Sequence, residues 1–287
     1  MTAQLPMEGV PSRLYPCTPT RLLTWLDCPR KYRYTYLDRP APPKGPPWAH
    51  NSVGSAVHLA LAAWHRQDPS DRTPARAAHL LDSAWLREGF RDDDQAEAWQ
   101  RRARDMVVAY TEGLDPDEEP VGIERTVATK TATLAFSGRV DRLDRRTVDG
   151  VDRLVVVDYK TGRKQLTDYD ARSSLALALY AYAVTHMFRR PCLRVELHHL
   201  PSGTVVAHEH TRESLERHLA RAEALAAEAR AADLDHRRGL ADAEAQERFP
   251  TQPSGACRWC DFLRVCPEGR AQYEPAAPWA ALDASDS

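Results

Sequence analysis

The run Leu154-Val155-Val156-Val157, continuing into Asp158-Tyr159-Lys160-Thr161-Gly162, constrains the fold of this 287-residue chain more than any other stretch. Four consecutive apolar residues leave no polar face, so the segment predicts a strand covered on both sides. The rest of the chain supplies the cover. Helical periodicity marks 54–66, 74–88, 94–113, 175–188 and an Ala-rich 212–234, and Thr18-Pro19 reads as an N-cap followed by proline in the first turn. Alternating, β-branched stretches at 121–129 and 133–140 predict two half-buried strands, and 193–200 predicts another. Residues 141–151 read as a charged turn region with Asp149-Gly150 at its tip, and 40–47 as a proline-rich linker.

These elements predict one integrated domain. It would comprise an irregular N-terminus (1–17), a helical region (18–120), a mixed α/β core (121–234), a cysteine-bearing segment (235–270) and a polar tail (271–287). The net charge of -2 gives no global positive field, so a nucleic-acid partner would have to be met by a local basic patch. The longest uncharged apolar stretch, 173–188, falls short of the ~20 residues of a membrane span. No basic region followed by an apolar run opens the chain. A cytoplasmic protein without a membrane partner is the expectation.

In a strand alternate side chains share a face, so Asp158 and Lys160 point together and Tyr159 points away. If Gly138-Arg-Val-Asp141-Arg-Leu-Asp144 pairs with this strand as a hairpin, Asp141 arrives beside Asp158. Two carboxylates and an ammonium at a sheet end suit a hard divalent cation and phosphodiester hydrolysis. The same residues on a surface hairpin would make only an ion pair worth ~1 kcal/mol or less. His58, in Gly54-Ser-Ala-Val-His58, sits on an apolar helix where its imidazole serves either as a further ligand or as a structural histidine.

Taken in order, G-x-x-x-H, G-x-x-D-R-x-D and V-D-Y-K-T-G resemble the PD-(D/E)XK nuclease superfamily, and within it the RecB-type exonucleases that include the iron–sulfur CRISPR-associated enzymes. The resemblance implies a restriction-endonuclease-like mixed sheet flanked by helices. It makes His58, Asp141, Asp158 and the backbone carbonyl of Tyr159 ligands of Mg²⁺ or Mn²⁺, and Lys160 the catalytic lysine. Tyr180 fits a tyrosine that the family carries on the following helix, where a glutamine stands four residues earlier. Ala176 occupies the glutamine position, a departure that bears on rate or substrate choice.

Cys257-Arg-Trp-Cys260 with Cys266 gives C-x2-C-x5-C, a spacing that lets three thiolates converge on zinc or an iron–sulfur centre. Cys28 is the candidate fourth ligand, and Cys17 and Cys192 read as structural thiols. Beside a RecB-like core the resemblance implies a 4Fe–4S cluster stapling the two ends of the domain. The segment Arg30-Lys31-Tyr32-Arg33-Tyr34 interleaves charge and aromatic rings, and residues 12–39 carry a net +4. Arg30, Lys31 and Arg33 are therefore candidate DNA contacts, the alternative being an amphipathic helix with buried tyrosines. No P-loop is present, so a helicase or repair partner would have to supply any ATP-driven step. The sequence thus predicts a metal-dependent DNA exonuclease acting on single strands or ends. A catalytically inactive DNA-binding adaptor on the same fold is the alternative.

Overall fold

A computed structural model describes residues 14–148 and 150–283. The chain opens with strand β1 (Tyr15–Cys17) and five helices, α1 (Pro19–Asp27), α2 (Pro29–Tyr36), α3 (Ala49–His65), α4 (Pro74–Ala84) and α5 (Asp93–Glu112). Strands β2 (Gly122–Lys130), β3 (Leu134–Val148) and β4 (Val151–Lys160) follow. Helices α6 (Asp168–Ser173) and α7 (Leu175–Phe188) lead to β5 (Arg194–His199) and β6 (Thr204–Glu209). Helix α8 (Arg212–Arg237) and the short helices α9 (Asp242–Arg248), α10 (Pro267–Arg270) and α11 (Ala280–Asp283) complete it.

The sheet runs β1-β3-β4-β5-β6, with β2 also paired to β3. β1 is parallel to β3 and β4 to β5, while β2–β3, β3–β4 and β5–β6 are antiparallel. The parallel step from β4 to β5 is bridged by α6 and α7, as a crossover requires. β4 is buried on both faces as its composition dictates. Leu154 and Val156 join a core with Phe136, Leu143, Leu177, Val195 and Leu225 beneath α7 and α8. Val155, Val157 and Tyr159 join another with Val57, Leu61, Trp64 and Trp99 beneath α3–α5. The result is a mixed sheet flanked by helices, the restriction-endonuclease-like α/β architecture.

Three expectations are corrected. Residues 15–17 are a strand: Tyr15 and Cys17 are buried on either side of exposed Pro16, a pattern too short to register in sequence. Residues 1–13 lie outside the described residues. Residues 141–148 continue β3 and form no turn, because their charges are neutralised internally: Arg142 pairs with Asp144, and Arg146 with Asp144 and Glu196. The polar tail is partly a wall of the molecule, with Ala276 and Leu282 buried; residues 284–287 lie outside the described residues.

α1 starts as its sequence predicts, with Thr18 Oγ1 accepting from the Arg21 amide at 3.1 Å and Pro19 in the first turn. Asp233 of α8 draws the N-terminal helices onto the core. Its carboxylate accepts from Tyr15 and Tyr32 hydroxyls at 3.0 and 2.9 Å and from Arg21 at 2.8 Å.

Candidate active site

Pairing of Arg142 with Val157 sets Asp141 opposite Asp158, and the Tyr159 amide donates to Asp141 Oδ2 at 2.8 Å. β3 loses its alternation here, since Val140 and Leu143 face the same core. Across the ladder Glu124 of β2 has φ 48°, a left-handed conformation that costs a non-glycine residue roughly 1–2 kcal/mol. The distortion brings Glu124 and Asp141 toward α3. There Gly54 lies so near Thr161 that a Cβ would come within 3.3 Å of its Oγ1, a close approach of α3 to the end of β4. One turn later His58 places Nδ1 3.4 Å from Asp141 Oδ1.

Donor atoms of His58, Glu124 and Asp141 lie within 4.8 Å of one another. Two carboxylates and one imidazole suit Mg²⁺ or Mn²⁺. The electrostatics agree with a cation-seeking site. Burial raises the Glu124 carboxyl, and the Asp141 charge adds to this against the opposing Arg139, whose guanidinium is 2.8 Å away. Burial works against the His58 imidazolium, yet the hydrogen bond and charge of Asp141, with Asp158 and Glu124 behind, raise its pKa overall. Asp158 is raised by burial, with Lys160 as its opposing ion-pair partner.

Tyr180 of α7 stands over Gly138, and burial together with the Asp158 and Asp141 charges pushes its hydroxyl up to about 12. Tyr159 turns its ring into the opposite core, where its hydroxyl lies 3.4 Å from both Arg142 and His65. The site opens into a cleft of about 800 Å³ with Arg66, Arg139 and Arg163 among its lining and Leu282 of the C-terminal wall beside Trp99. The structure thus brings His58, Asp141, Asp158, Lys160 and Tyr180 to one end of the sheet. Glu124 was missed by the motif reading, because only the β2–β3 register reveals it.

Cys28, Cys257, Cys260 and Cys266 line one cavity of about 80 Å³, roughly five times the space a single water needs. Cys28 Sγ accepts from the Lys31 amide at 3.5 Å as the cap of α2. Burial raises the thiols of Cys260 and Cys266. Cys17 and Cys192 are buried elsewhere. The expectation that Arg30 contacts DNA is corrected: its guanidinium is buried and donates to the Phe249 carbonyl at 2.9 Å. Arg33 pairs with Asp38 at 3.0 Å, Tyr32 and Tyr34 are buried, and Lys31 lines the cysteine cavity.

Residues 16–267 match the family described as the PD-(D/E)XK nuclease superfamily. The chain belongs to this superfamily. The protein is a nuclease. No curated protein matches the chain. Among solved structures it is similar to a candidate exonuclease from Eubacterium rectale, at 11% identity over 99% of both chains with a TM-score of 0.42. It is also similar to the protein SSO0001, at 11% identity over 90% of this chain and 88% of that one with a TM-score of 0.38. Among the described residues no helix is long and apolar enough to cross a membrane.

Proposed function

We propose that this nuclease is a metal-dependent deoxyribonuclease that works as an exonuclease on single-stranded DNA or DNA ends. The observation that carries the reading is the convergence of His58, Glu124 and Asp141 in an arginine-lined cleft, with the Asp158–Lys160 ion pair on the neighbouring strand. His58, Glu124, Asp141, Asp158 and the Tyr159 carbonyl would hold the ion. Mg²⁺ or Mn²⁺ bound there would supply Lewis acidity and lower the pKa of water.

The side chains divide the remaining work. Arg66, Arg139 and Arg163 offer charged donors for strand phosphates. Lys160 keeps its ammonium on Asp158 and partly exposed, placed to orient a water and to share charge on the reacting phosphate. Tyr180 keeps its proton at neutral pH and serves as a hydrogen-bond donor beside the carboxylates. The cleft, about 800 Å³, is in the ~300–1,000 Å³ range of ligand sites and has room for a few nucleotides of an unpaired strand.

The gathering of Cys28, Cys257, Cys260 and Cys266 around one cavity supports a 4Fe–4S cluster, with a four-thiolate zinc site as the alternative. The cluster would be structural, joining α2 to residues 257–266. A helicase or repair protein is the expected partner.

The test is cleavage of end-labelled single- and double-stranded DNA with Mn²⁺ or Mg²⁺ by anaerobically purified protein, with Lys160→Ala alongside. Metal-dependent loss of terminal nucleotides by wild type and none by the variant is expected. A folded, metal-loaded wild type that binds DNA and leaves it intact would overturn the catalytic reading in favour of the adaptor.

A further inference from the structure

A second basic concavity, of about 420 Å³, lies away from the cleft between α6, β6 and α8, lined by Arg172, His208, Ser214, Arg217, His218 and Arg221. Arg217 and Arg221 are one turn apart on α8, a spacing at which like charges repel. Among the described residues none of the three arginines is in an ion pair with a carboxylate; Arg172 only lies over the Tyr169 ring. Glu209, the acid at the rim, is bound to Arg153 at 2.9 Å. Beneath them His210 is 1% exposed and packed edge-on between the rings of His208 and His218. Its Nδ1 is 2.8 Å from Ser214 Oγ, and its Nε2 has no partner. Glu213 and Asp168 stand near Arg217 and His208 and offset part of this charge, leaving a local positive excess in a chain of net charge -2.

The register fixes where this concavity stands. His208 pairs with Val195, and Val195 with Val156, so His208 is on the α7–α8 face of the sheet, whereas the cleft is lined by α3 on the other. The backbones of His208 and Asp158 are ~12 Å apart, two strand spacings across and two residues along. The two faces are joined at the sheet end by the connection that begins at Thr161 and Gly162 in the cleft and leads into α6, whose end carries Arg172. A strand of a few nucleotides that rounds the sheet end along this connection reaches both.

From this placement we infer that the Arg172–Arg217–Arg221 concavity binds a phosphate group of the substrate strand, a few nucleotides from the bond that is cut. The inference rests on the reading that the substrate is a nucleic-acid strand. It makes the protein a counter of strand length: short oligonucleotides occupy the cleft alone, longer ones occupy both places. The three arginines are exposed, so their replacement leaves the core untouched.

The experiment measures binding of 4- and 12-nucleotide single strands to full-length Lys160→Ala protein by fluorescence anisotropy, with and without Arg217→Gln/Arg221→Gln. The 12-mer is expected to bind about tenfold more weakly to the arginine variant, with a salt slope lower by about one, and the 4-mer equally well. Cleavage of the 4-mer by Arg217→Gln/Arg221→Gln carrying Lys160 should be unchanged. Equal losses for both strands, or no loss for the 12-mer, would overturn the inference. In parallel, inorganic phosphate is titrated while the His208 and His218 ring resonances are followed by NMR. Shifts present in wild type and absent in the arginine variant are expected. If those shifts appear while 12-mer affinity is indifferent to the arginines, the concavity serves a free anion, and the strand contact is overturned. If neither strand binds the Lys160→Ala protein at all, the substrate reading fails by itself and the phosphate shifts still report on the pocket.

Discussion

Replacing Gly138 by alanine isolates one contact that shapes the active site. Gly138 pairs with Val127 in the β2–β3 ladder, so its backbone conformation is one that alanine adopts freely; only space forbids the substitution. The added methyl would stand 2.3 Å from Tyr180 Cε1, 3.1 Å from Cζ and 3.2 Å from the hydroxyl oxygen. Carbon atoms in contact sit ~3.5–4.0 Å apart, so the ring must retreat by more than an ångström. α7 cannot slide to make room, because Leu175, Leu177, Leu179, Ala183 and Val184 are all packed into the core. The ring must leave its rotamer, and overpacking of this kind costs ~1–3 kcal/mol. At ~2–4 °C per kcal/mol for large domains, the melting midpoint should fall by about 2–12 °C. The assay is urea unfolding of wild type, Gly138→Ala, Tyr180→Ala and the double variant. With the ring truncated the methyl has room, so the glycine substitution should cost at least ~1 kcal/mol less in the Tyr180→Ala background. Equal costs in both backgrounds, or no cost in either, would refute the steric argument.

Three further outcomes are expected. Glu124→Gln should weaken Mn²⁺ binding, measured by calorimetry, at least about tenfold by removing one anionic donor; an unchanged affinity would take Glu124 out of the donor set. Asp233→Ala leaves two buried hydroxyls and Arg21 without their acceptor, and should cost about 3 kcal/mol in denaturant unfolding; a loss under ~1 kcal/mol would mean that the cluster does not hold α1 and α2. His65 is kept neutral by burial and then by the charges of Arg142 and Arg72, its pKa pushed down to about 3. The unfolded chain binds that proton near pH ~6.5 and the folded one does not, so the stability is intact above ~6.5 and lost as pH falls toward 3. His65→Gln should flatten the fall in unfolding free energy between pH 6.5 and 4, and a slope as steep as wild type would sink the assignment.

How far the sequence reveals this molecule depends on how local each cause is. Leu154 to Val157 are legible because every one of them is buried, whichever face it takes. Asp158 and Lys160 follow from simple alternation. The strand carrying Asp141 reads as a turn because Arg142, Asp144 and Arg146 look solvent-exposed; their partners Tyr110 and Glu196 come from distant elements. Glu124 is invisible for a related reason, since its place depends on a register and a left-handed residue that no periodicity encodes. Arg30 shows the limit of charge patterning: a guanidinium held by a backbone carbonyl and one awaiting a phosphate look alike in sequence.

The contacts of α1 and α2 also set an order of events during synthesis. Tyr32 waits for Asp233, Arg30 for Phe249, and Cys28 shares its cavity with residues as late as Cys266. At ~5–20 residues per second, roughly 10–50 s separate the making of Cys28 from that of Cys266. For most of that interval the nascent chain carries two helices that lack Asp233 and Phe249. A ribosome that stalls after β6 leaves a chain with every strand of the sheet made and its thiol cavity unbuilt, so chaperones and proteases would meet its first two helices still exposed.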